Sequence, residues 1–216
     1  MHAVVVQDDL TTTSAVAHEC VAVLDETTTL SGRALTRAVA LLDHEPTVGT
    51  VFVSPGEGRR DAVESGHRWL RQAAAHGPDT IGSRWTVMRR TTFEAASQQG
   101  LGTRSGELSL WLRAAALADV AHVAEPLPVG SFRAASRLTA RVGELTELHE
   151  RAHAFRDLFG SFAPLRDQAR LRSSAYRALA RSARSRARVA AHEGDPVEAS
   201  LCRHLARDID RWRRRG

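Results

Sequence analysis

Val87-Met88-Arg89-Arg90-Thr91-Thr92-Phe93, then Ser105-Gly106-Glu107-Leu108-Ser109-Leu110-Trp111-Leu112-Arg113, then Asp119-Val120-Ala121-His122-Val123 form the run that sets the architecture expected of this chain. An apolar strand ends in paired arginines, and Thr91 or Thr92 caps a short helix behind it. Ser105 then caps a helix carrying Trp111, and residues 119–124 form a further strand. Glu107 falls in the first turn of the Trp111 helix, where the helix dipole already favours an acid. On that residue alone, no more than helix electrostatics is needed.

Working upstream, the same alternation repeats. Ala3-Val4-Val5-Val6 and Cys20-Val21-Ala22-Val23-Leu24 are short apolar runs that predict buried strands. Ser31 caps a helix with Leu35, Ala38, Val39 and Leu42 at helical spacing, stopped by Pro46. Gly49 to Val53 predicts a third strand, and the Gly- and charge-rich residues 54–66 read as a loop. A helix from Arg68 to Ala75 and a strand from Arg84 to Met88 lead into the opening run. Strands alternating with helices predict an α/β fold with a mainly parallel sheet covered on its faces.

Downstream the character changes. Pro126 and Pro128 break the pattern. Leu138, Val142, Leu145, Leu148, Ala152, Phe155 and Phe159 then recur at steps of three and four, an amphipathic helix. Residues 165–191 and 195–213 predict two more helices, with Gly194-Asp195-Pro196 turning between them and Pro at a helix start. The chain thus divides into an α/β domain over 1–133 and a basic α-helical region over 134–216.

Composition narrows the function. A chain of 216 residues that is 43% hydrophobic can bury a real core. Cys20 and Cys202 match no metal or redox spacing and predict a reducing compartment. Residues 1–24 carry Asp8, Asp9 and Glu19 without a basic start, so no secretory signal is expected there. No apolar run approaches transmembrane length. These features predict a cytoplasmic protein. All 30 basic residues are arginines, and 16 of them fall in residues 151–216 against 7 acids. That basic tail could meet an anionic membrane, placing the protein at its inner face. Nucleic acid is disfavoured, since only Tyr176 is interleaved with the Arg166–Arg188 run.

The acidic helix start after an Arg-Arg strand, followed by Trp111-Leu112-Arg113 and Asp119-Val120, resembles the acceptor half of a family 2 glycosyltransferase. Val23-Leu24-Asp25-Glu26-Thr27-Thr28, with Leu30 to Leu42, His44, Pro46, Val48-Gly49 and Phe52 after it, is similar to that family's metal-motif strand and the elements that follow. The resemblance covers residues 20–133. It implies a partial GT-A fold with a mixed or parallel sheet, followed by a C-terminal α-helical region, and an inverting transfer of a sugar from a nucleotide-sugar donor to a hydroxyl acceptor. Such a reaction needs a base to take the acceptor's proton and a means of stabilising the departing diphosphate.

By the resemblance, Glu107 is the catalytic base, Asp25 contacts the nucleotide sugar and a divalent cation (Mg or Mn), and Arg133 meets a phosphate. The sequence departs from the family pattern at several of these places. Glu107 stands where most relatives carry Asp, Thr27 replaces the second carboxylate, Ser97-Gln98-Gln99 replaces a Gly-Gly turn, and Ala135 replaces a histidine. Only 19 residues precede Cys20, where relatives carry nucleotide-binding strands, so the resemblance implies a shortened domain completed by a partner chain or a second copy. The alternative is a catalytically impaired relative that binds a sugar or a protein. A competing pattern, His149-Glu150-Arg151-Ala152-His153, matches the two-histidine zinc-protease motif, but no third ligand follows it in sequence.

Overall fold

The computed structural model describes residues 3–7, 19–24, 32–55, 62–76, 85–97, 106–125, 137–161 and 168–215. Two compact units emerge, Met1–Leu70 with Pro78–Ser131, and Arg71–Gly77 with Phe132–Gly216. The division falls inside one helix, after Leu70.

In the first unit the elements run β1 (Ala3–Gln7), β2 (Cys20–Leu24), α1 (Gly32–His44), β3 (Val48–Pro55), β4 (Ala62–Glu64), α2 (Gly66–His76), β5 (Trp85–Arg89), α3 (Arg90–Ser97), α4 (Gly106–Leu117) and β6 (Asp119–Glu125). The strands form one sheet of order β1-β2-β5-β3-β6-β4. The sheet is mixed, one of the two forms expected, rather than the mainly parallel form that the strand-helix alternation alone predicts. β1 pairs with β2 and β3 with β6 in parallel, whereas β5 lies antiparallel between β2 and β3, and β4 antiparallel on β6. A strand-helix alternation looks the same in sequence whether the returning strand runs up or down.

Two further expectations are corrected. The stretch expected to be a loop over 54–66 contains the end of β3 and all of β4, whose three residues are too few and too exposed to show a period. Thr91 and Thr92 do not cap α3; the helix already begins at Arg90, whose backbone N–H donates to the Glu19 carbonyl at 2.9 Å. The expected caps Ser31 and Ser105 lie outside the described residues.

The faces of the sheet follow from the strand period of two. Cys20, Ala22, Val51, Val53, Val87, Ala121 and Val123 point one way and meet Ala34, Ala38 and Leu42 of α1. The other face carries Val21, Val23, Thr50, Phe52, Thr86, Met88, Val120 and His122, against which α3 and α4 pack. Residues 109–115 of α4 are buried on every side, which explains why that helix is apolar around most of its circumference.

In the second unit α5 (Arg137–Ser161), α6 (Gln168–His192) and α7 (Pro196–Arg214) pack together. Asp195 caps α7 by accepting from the Glu198 N–H at 2.9 Å, with Pro196 next, as the turn sequence predicts. Gly194 adopts φ 78°, a left-handed conformation that suits glycine at a helix end. Phe155, Phe159, Tyr176 and Trp212 join the aromatic side of this core.

Candidate functional site

The direction of α4 locates the candidate site. At its C-terminal end Ala118 crowds Gly49, at the start of β3. Two turns earlier, Trp111 stands edge-on to Phe52 with ring centroids 5.7 Å apart. The helix therefore runs antiparallel to β3, and its first turn, Gly106-Glu107, opens toward the edge where β3 ends. Register carries that edge across the sheet. Val53 of β3 pairs with Trp85, and Trp85 pairs with Leu24, the last residue of β2. The carboxyl ends of β2, β3 and β6 thus share one edge with the N-terminus of α4. In open α/β sheets, ligands bind outside the carboxyl ends of the strands.

Glu107 is the second residue of α4, and its side chain lies outside the described residues. Asp25 and Arg133 lie outside them entirely, as do Glu26, Thr27, Gln98, Gln99 and Ala135. What the described residues give is the floor behind this edge. Phe52 stacks on Trp69 of α2 with centroids 4.9 Å apart and 5° between planes, and on His122 at 5.6 Å. Trp111 is 8% exposed and belongs to this aromatic group.

Polar groups in this floor are sparsely paired. The hydroxyls of Thr50, Thr86 and Ser109 and the indole N–H groups of Trp69 and Trp111 are buried without a hydrogen-bond partner. Arg113, 5% exposed, donates to the Ala96 carbonyl at 3.4 Å. His122 and Glu64 form a pair at 3.2 Å that ties β6 to β4, with Arg68 3.6 Å from the same carboxylate. Sequence reasoning missed this pair, because β4 itself was not visible.

Arg89, quoted above as part of the acceptor-side pattern, is committed elsewhere. Its guanidinium donates to the carbonyls of Val48 at 2.7 Å, Glu45 at 3.2 Å and Leu42. It closes the C-terminal turn of α1, where the helix dipole favours a cation. Arg90 pairs with Glu94 at 3.7 Å.

The histidine motif of α5 is intact as a spacing, with the His149 and His153 rings 6.2 Å apart. Burial lowers the His149 pKa, and the neighbouring His153 adds to the shift while Asp208 opposes it. His153 faces Trp212 at 5.7 Å. Among the described residues no group of three metal-binding side chains occurs.

Comparison of the chain with family models, with curated proteins and with solved structures finds no match.

Proposed function

We propose that the chain is a family 2-type glycosyltransferase of partial GT-A form, working at the carboxyl edge of its sheet in the cytoplasm. The observation that supports this most is the direction of α4. A helix whose first turn carries an acid opens on the edge where β2, the strand leading into Asp25, comes to its end.

The chemistry follows from the two needs of the reaction. Glu107 takes the proton of an acceptor hydroxyl as its oxygen attacks the anomeric carbon. The bond from that carbon to the diphosphate breaks with its electron pair leaving on the phosphate oxygen, and the sugar inverts. The Arg133 guanidinium offsets the charge that develops there. A divalent cation fits the residues poorly. Asp25 is a single carboxylate, Glu26 follows it directly, and Thr27 offers a neutral hydroxyl to a hard ion that favours charged oxygens. The Thr27 substitution also favours the second reading, a sugar-binding relative without turnover.

Calorimetry with uridine and guanosine diphosphate sugars, with and without manganese, tests donor binding; a transfer assay on the same protein tests chemistry. Glu107→Gln is expected to keep donor affinity and melting temperature and to lower transfer by about 10²–10⁴-fold. Donor binding without transfer selects the second reading. A folded protein silent toward every sugar nucleotide removes both.

A further inference from the structure

Sugar transfer leaves the histidine pair of α5 without a task. His149 and His153 stand one turn apart on the same side of that helix, with ring centroids 6.2 Å apart. Two imidazole nitrogens each about 2.0–2.1 Å from one Zn²⁺ put their ring centroids roughly 5–6.5 Å apart. The observed spacing therefore spans a single ion, and closing on it needs side-chain rotation without backbone movement.

The nitrogens of the two rings are uncommitted. His122 is tied to Glu64, and His204 lies 3.0 Å from Arg207. Among the described residues, no hydrogen bond or carboxylate pair engages His149 or His153. His153 meets Trp212 of α7 ring to ring at 5.7 Å, a contact that leaves its nitrogens available. Burial holds His149 toward the neutral form, which is the form that ligates a metal.

A third donor stands on the facing helix. Asp208 lies one turn before Trp212 on α7, and its charge acts on His149. As the side chains stand, three donors do not converge among the described residues. Asp208 is turned instead to Arg211 at 3.1 Å, and both side chains of that pair are open to water, at 40% and 68% exposure. Exposed ion pairs add little stability, so turning the Asp208 carboxylate toward His149 gives up little. Two imidazoles and one carboxylate suit Zn²⁺ and its transition-metal neighbours, whereas Mg²⁺ takes oxygen donors.

We propose that His149, His153 and Asp208 bind a divalent transition-metal ion of the zinc class, which clips α5 to α7. The site is independent of sugar transfer and survives the failure of that reading.

Titration of the full chain with zinc chloride, followed by calorimetry and by thermal denaturation, tests it. Zinc is expected to bind and to raise the melting temperature, and magnesium chloride to do neither. His149→Gln and His153→Gln should each weaken zinc binding on the order of a hundredfold, and Asp208→Asn about tenfold. His44→Gln and His192→Gln, at exposed histidines with no second histidine one turn away, should leave the affinity unchanged. His153 and Asp208 have solvent-accessible side chains, so their variants should fold, and circular dichroism without metal verifies this. A folded parent chain that binds no zinc, equal losses in the His44 or His192 variants, or an Asp208→Asn protein that binds zinc as tightly as the parent overturns the proposal.

Discussion

Arg89 shows how a single side chain can be visible in sequence while its role is not. Paired arginines after an apolar strand stand out, and they help carry the resemblance to the acceptor half of a glycosyltransferase. The guanidinium of Arg89 nevertheless serves three main-chain carbonyls more than forty residues away in the chain. No local pattern announces such a contact, because its partners are backbone atoms with no residue signature. Arg89→Met is expected to lower unfolding free energy by about 2 kcal/mol in urea titration, since two part-buried carbonyls and one exposed carbonyl lose a charged donor. Arg89→Lys should restore less than half of that, because a compact ammonium cannot reproduce the planar fork. Glu107 is the opposite case. Its position at a helix start was legible from Ser105 and the apolar run after it, whereas Asp25 and Arg133 rest on the resemblance alone.

At the level of elements, apolar density decided what could be read. β1, β2, β3, β5 and β6 are dense in apolar residues, and α5, α6 and α7 have a clear period or a Gly-Asp-Pro break. β4 has three residues, of which Ala62 and Val63 are exposed, and nothing distinguishes it from loop. The antiparallel sense of β5 also escaped, because direction is settled by which strand it pairs with, a long-range fact. The junction of α2 with α4 was equally hidden. A Cβ at Gly66 would lie 1.8 Å from the Ala115 carbonyl oxygen and 2.3 Å from that of Ala118, both backbone atoms that have no side-chain freedom to yield. Gly66→Ala should therefore destabilise the protein by about 3 kcal/mol or prevent folding. Gly32→Ala, where nothing lies within 4 Å, should leave the melting temperature unchanged or raise it slightly. Thermal denaturation of the two variants side by side separates steric conflict from a general effect of replacing glycine.

On the scale of the whole molecule, acid-rich sheet and arginine-rich helices are two bodies with separate cores, and no described helix is long and apolar enough to cross a membrane. Each core holds one free thiol, Cys20 at 3% exposure in the first and Cys202 fully buried in the second. Burial raises both pKa values above the ordinary 9.0, and the nearby carboxylates Asp43 and Glu198 add to it. A raised folded-state pKa means that the native protein retains the proton as pH climbs. The stabilising contribution is complete below the unfolded thiol's pKa and disappears as pH passes through the folded value. Iodoacetamide should thus label neither thiol at pH 8 until the surrounding core opens, and native labelling should begin only at more alkaline pH than for a free cysteine. Rapid native labelling at pH 8 would contradict the burial of that site. Because the chain has just these two sulfhydryls, peptide mass spectrometry after brief alkylation gives each body its own clock. A denaturant series would then reveal whether sheet and helices come apart in one event or in succession, without any engineered probe.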